Sequence, residues 1–90
     1  SALGAEFETL GAREAERMGI SGGVKVTRLG AGKIANQTDM HEGFVVTRVN
    51  NITVRTAEEL ASVIEKANGG IMLEGMYPGS SGTYYYAFGK

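Results

Sequence analysis

The chain has no cysteine, a single proline and a single histidine. Without cysteine there is neither a disulfide framework nor a thiolate metal site, while the compartment stays open, because a domain with an adequate core does without disulfides anywhere. Charge of one sign is also missing. Nine basic and ten acidic side chains, spread along the sequence, give a net charge of −1, so no basic stripe argues for a nucleic acid or a membrane surface. Apolar runs stop at four or five residues, far short of the ~20 that span a bilayer. The N-terminus has neither an initiating Met nor the basic-then-apolar order of a signal peptide, and the sequence reads as one domain excised from a longer chain. Catalytic signals are equally thin. His41 lies two residues from Asp39 in a loop, but no nucleophile-elbow pattern accompanies the pair, which favours a solvated loop histidine over hydrolytic chemistry. Glu6, Glu8, Glu14 and Glu16 fall on exposed faces with no Asp-rich loop of calcium-binding spacing, so no metal or other cofactor is expected.

What the sequence has in excess is glycine, fourteen residues without a repeat, which points to many tight turns. The clearest helix signal is Thr56 to Ala67. Thr56 is a good N-cap, and Glu59 three residues on completes a capping-box pattern that ties up two backbone donors. Leu60, Val63, Ile64 and Ala67 form its apolar stripe, with Glu58, Glu59, Glu65 and Lys66 around the rest. Asn68-Gly69-Gly70 supplies a left-handed stop. A second row, Ala57, Ala61 and Ile64, is mostly small and leaves a shallow apolar trough beside the helix.

Around this helix the chain reads mainly as strands. Leu3, Ala5 and Phe7 alternate with Gly4, Glu6 and Glu8 in a first strand running to about Leu10. Gly11 to Gly19 suits a two-turn helix, and Val24 to Leu29 alternates again as a second strand with Val24 and Val26 inward. Gly30 to Glu42 is weak for any long element and holds one or two helical turns around Lys33 to Gln37. Phe44 to Val49 and Ile52 to Val54 flank Asn50-Asn51, whose tolerance of positive φ suits a two-residue hairpin turn. Ile71 to Tyr77 and Thr83 to Phe88 pair as a closing hairpin with Tyr84, Tyr86 and Phe88 on one face. The Tyr84-Tyr85-Tyr86 run is expected to serve cross-strand packing rather than nucleic-acid stacking, since nothing draws phosphate to it. The sum is a small α+β domain, a partly closed antiparallel barrel of five or six strands capped by one main and one or two short helices.

The order LGAEF, GGVKVTRL, GKIANQTDMHEGFVVTRVNNITV, TAEELASVIEKANGG and a closing strand resembles, over essentially the whole chain, a PDZ domain of the permuted type found in HtrA/Deg serine proteases. The most specific piece is Met40 to Val54, similar to the family's GL-x-x-GD-x-I-x-x-x-NG-x-x-V segment, with Phe44 where Asp is usual and Asn51 where Gly is usual. The aromatic-rich end is most similar to the C-terminal PDZ domain of Bacteroides-type enzymes. The resemblance implies a non-catalytic, peptide-binding module of a periplasmic or cell-envelope quality-control endopeptidase. The protease triad would lie in a separate domain. Ala2-Leu3-Gly4-Ala5 matches the family's x-Φ-G-Φ carboxylate loop, in which the glycine lets N–H groups converge on a terminal carboxylate. Leu3, Ala5 and Phe7 would form one wall of the groove and Ala57, Ala61 and Ile64 the other, with the ligand backbone adding along Ala5, Glu6, Phe7 and Glu8. Expected partners are peptides or C-termini of unfolded proteins, and other domains of the parent protease. Ala57 stands where many PDZ domains carry a His that grips a hydroxyl, so an apolar ligand side chain is expected two residues before the ligand's end. The alternative is a docking module that contacts its own protease or a neighbouring subunit without using the groove, a reading suited by small Ala5 and an acidic rim of Glu6, Glu8 and Glu58.

Overall fold

A computed structural model describes residues 3–90. The elements follow as β1 Ala5–Thr9, α1 Ala12–Met18, β2 Val24–Leu29, α2 Lys33–Gln37, β3 Val45–Val49, β4 Ile52–Thr53, α3 Ala57–Lys66, β5 Gly70–Met76 and β6 Tyr84–Gly89. All strand pairs are antiparallel, in the order β1-β2-β3-β5-β6, with the short β4 paired to β3. The result is a small α+β domain with one six-stranded sheet.

The expected barrel closure does not form. β1 and β6 are the two ends of the strand order, and α2 lies between them: Ile34 N–H donates to the Leu3 carbonyl at 3.4 Å, and Gly89 N–H to Gln37 Oε1 at 2.8 Å. A helix in that position takes the place of a closing ladder. Each sheet edge therefore keeps unpaired strand positions.

The sheet has two packed faces. The main core holds Val24, Val26, Ile34, Phe44, Val46, Val49, Leu60, Ile64, Ile71 and Leu73 among its buried residues, while Leu10, Ala15 and Val45 form a smaller cluster under α1. Val46 and Val49, three apart, both reach the main core because the register of β3 against β5 shifts between Val46 and Arg48, resetting the side-chain alternation. Burial of such Val, Leu and Ile side chains contributes roughly 1.5–3 kcal/mol each. Turn chemistry fixes the connections. Asn50 and Asn51 both take positive φ, 49° and 67°, joining Val49 and Ile52 as a two-residue hairpin, and Gly19 ends α1 at φ 74°.

At α3 the termini differ in detail from expectation. Thr56 Oγ1 accepts from Glu59 N–H at 3.0 Å, but the Glu59 carboxylate takes the N–H of Arg55, at 2.7 Å, rather than that of Thr56. One helix donor is capped and the preceding residue is secured. The C-terminus has no left-handed stop, since Ala67 is extended at φ −72° and the positive φ falls later, at Gly69. Lys90 closes that end. Its Nζ donates to the carbonyls of Glu65 and Ala67 at 2.6 and 2.9 Å, placing a cation at the negative pole of the helix.

Candidate functional site

The head of β1 is set by Gly4, at φ 77°, a conformation that favours glycine. A side chain there would also fall on the Ala31 carbonyl and within 2.9 Å of Gly32 Cα. Backbone thus packs flush on backbone. The Gly4 carbonyl accepts from Gly30 N–H at 2.7 Å, so the 30–34 segment holds Leu3 and Gly4 from one side. Ala2, the first residue of the expected carboxylate loop, lies outside the described residues.

From Gly4 onward the hydrogen-bonding direction follows the pairing. The carbonyls of Gly4 and Glu6 accept from Gly30 N–H and Thr27 Oγ1, and Leu10 N–H donates to the Gly23 carbonyl. Even-numbered residues therefore address β2, and by strand alternation the N–H and C=O groups of Ala5, Phe7 and Thr9 point to the free edge. Helix α3 borders this edge. Thr9 Oγ1 accepts from Ala57 N–H at 2.9 Å, tying the end of β1 to the start of α3.

Of the eight residues expected to line a peptide groove, Ala5 and Ile64 are buried in the main core. Leu3, Phe7 and Ala57 are half-buried and pack against it, Gly4 is half-buried at the turn, and Glu6 and Ala61 are exposed. The structure brings the β1 and α3 sets to one boundary but gives them unequal roles. Leu3, Phe7, Ala57 and Ala61 offer apolar surface, whereas Ala5 and Ile64 supply the floor beneath. Glu6, Glu8 and Glu58, the residues of the expected acidic rim, are exposed. Thr9 was not singled out by sequence reasoning. Its signal is the alternation Leu3, Ala5, Phe7, Thr9, which carries the hydroxyl onto the same face as the apolar residues.

Other surface features lie away from this boundary. One concavity is lined by Asp39, His41, Tyr77, Tyr84, Tyr85 and Tyr86, and another by residues that include Arg48, Arg55, Ser21 and Glu74. His41 is exposed; its N–H donates to Tyr77 Oη at 3.0 Å, and its ring lies 6.5 Å from that of Tyr77. Among the described residues no group of three or more His, Cys, Asp or Glu is arranged to hold a metal, and no helix is long and apolar enough to cross a membrane. Burial, and then the hydrogen bond in which the protonated Tyr86 hydroxyl donates to Tyr77 Oη, pushes the Tyr86 phenol above its ordinary range. Comparison with family models, curated proteins and solved structures finds no match for this chain.

Proposed function

We propose that the domain is a non-catalytic, PDZ-like peptide-binding module that takes hydrophobic C-terminal or extended segments by strand addition along β1. The observation that carries this reading is the free edge of β1, whose outward backbone groups at Ala5, Phe7 and Thr9 lie beside the small-residue row of α3. A ligand strand would exchange main-chain hydrogen bonds with those groups and set alternate side chains against Leu3, Phe7, Ala57 and Ala61. A few such bonds at about 0.5–1.5 kcal/mol each and one or two buried side chains, less the cost of ordering the peptide, give affinities around micromolar or weaker. The resemblance to HtrA/Deg PDZ domains supports, within this proposal, a parent among serine endopeptidases of the periplasm or envelope.

The test is a backbone amide titration by NMR with peptides ending in Val, Leu or Phe. Shifts grouped at Leu3 to Glu8 and Ala57 to Ile64, lost in Ala61→Trp, are expected; Ala61 is exposed, so the larger side chain fills the boundary without entering the core. Shifts elsewhere, or none at millimolar peptide, overturn the proposal. The second reading is a docking module on another domain of the parent. It is favoured by the burial of Ala5 and Ile64, which leaves a shallow surface with an acidic rim, and it predicts that loss of assembly follows changes outside this boundary.

A further inference from the structure

The chain has four tyrosines, and all of them, Tyr77, Tyr84, Tyr85 and Tyr86, line one concavity of about 540 Å³ completed by Asp39 and His41. Packing alone accounts for only part of this cluster. Tyr86 is buried, its hydroxyl 2.7 Å from that of Tyr77, and Phe44 contacts both rings, edge-to-face on Tyr86 and tilted to Tyr77, at centroid distances of 4.9 and 5.0 Å. Tyr84 and Tyr85, by contrast, are 40% and 60% exposed. The Tyr84 ring stands edge-on to Tyr77 at 5.1 Å and 84°, so ring contacts continue from the core out to the open concavity.

Asp39 is the one carboxylate lining this concavity. Asp39 is exposed and makes no ion pair among the described residues, and its charge is among the influences that raise the Tyr86 phenol. Aromatic faces carry negative potential, so rings beside an unpaired carboxylate attract a cation. The backbone adds a second element. Carbonyls of Gly70, Met72 and Glu74 accept from the Asn50 side chain, Asn50 N–H and Thr47 Oγ1, so these residues of β5 address β3. The pairing Met72↔Ala87 and Glu74↔Tyr85 then turns the N–H and C=O of Tyr85 and Ala87 to the outer edge of β6. Gly89, of the same parity, confirms the direction by donating to Gln37 Oε1. Helix α2 occupies the edge at Gly89, whereas the concavity lies at Tyr84 to Tyr86.

We propose that this concavity binds the ammonium or guanidinium side chain of a Lys or Arg in an extended polypeptide segment, with Asp39 as counter-charge and the exposed Tyr84 ring, edge-on to Tyr77, as the aromatic wall. The segment's own backbone reaches the Tyr85 N–H and C=O along the β6 edge. This site is separate from the β1 boundary, which contains no tyrosine, and stands or falls independently of it.

The experiment is a titration of the whole domain with acetyl-Ala-Lys-Ala-amide and acetyl-Ala-Arg-Ala-amide, read by tyrosine fluorescence and by the amides of Asp39, His41 and Tyr84 to Ala87. The norleucine analogue is the uncharged control. Every tyrosine reports on the one site. Saturable change with the two cationic peptides, at least about fivefold weaker for norleucine and about threefold weaker in Asp39→Asn, is expected. Tyr84→Leu, at an exposed position, loses about as much affinity as the charge removal. Equal response to norleucine, an unchanged response in Asp39→Asn, or no saturation by 50 mM peptide each overturns the proposal. So does a response only to a proline-rich peptide, which would make the tyrosines a polyproline groove.

Discussion

The two ends of the sheet carry different chemistry. At β1 the free edge borders a helix presenting alanines, its head is fixed by Gly4 against Ala31 and Gly32, and its side chains are Leu3, Ala5 and Phe7. At β6 the edge is half covered by α2 through Gln37 and half open beside tyrosines and Asp39. Exposed strand edges invite unwanted pairing unless they are short, covered or charged. Here β1 is five residues long with Glu6 and Glu8 exposed, and β6 is partly covered. Under the two proposals above, one sheet would offer its edges to different partners, an apolar one at β1 and a cationic one at β6.

The largest expected effect lies between the edges. A Cβ at Gly75 would fall on the Val45 carbonyl and within 2.9 Å of Phe44 Cζ, so Gly75→Ala should cost about 3 kcal/mol in urea unfolding. Both edges should fail together. Gly4→Ala should cost about 2 kcal/mol, from a positive φ and the approach of Ala31, and its amide perturbations should stay at β1 and the 30–34 segment. Tyr85 should not respond.

Alkaline pH separates the edges in another way. The Tyr86 phenol sits above its ordinary value of 10.0, chiefly through burial and then through the Tyr77 hydroxyl. The unfolded chain therefore loses that proton first, and folding stability should fall as pH rises past about 10, by at most about 1.4 kcal/mol per unit. Below pH 9 the contribution is complete. Urea midpoints at pH 9 and 11 check this, with Tyr86→Phe showing the smaller decline. Thr9→Val removes the acceptor for Ala57 N–H and should cost about 1 kcal/mol, with faster hydrogen exchange at Ala57. Smallest is Gln37→Ala, about 0.5 kcal/mol, which should expose the Gly89 amide to exchange without touching β1.

Much of this fold was legible because its signals are local. The alternation of Val24 to Leu29, the Asn50-Asn51 turn, the Gly19 stop and the weak helix at Lys33 to Gln37 all depend on neighbours in sequence, and each forms where its residues favour it. What escaped depends on distance. The end of α3 is finished by Lys90, twenty-three residues beyond Ala67, so Asn68-Gly69-Gly70 was free to turn later than a helix stop would. Barrel closure was expected because strand count says nothing about which element fills a gap. At the β1 boundary the sequence singled out both walls but not which members are floor: Ala5 and Ile64 have the same apolar character as Leu3 and Phe7, and only packing separates them. The aromatic concavity joins Asp39 and His41 to Tyr84 to Tyr86, more than forty residues on, through a hairpin whose tyrosine run reads as ordinary cross-strand packing.

Helix α2 has five residues, yet it receives the Leu3 carbonyl at Ile34 and holds Gly89 at Gln37. The first and last strands therefore share one small mechanical part. If a ligand at one edge shifts α2, and binding at the other edge depends on where α2 sits, the two affinities are coupled. Thermodynamic linkage then requires the same factor in the reverse direction, so a coupling measured from one end of the sheet fixes its value at the other.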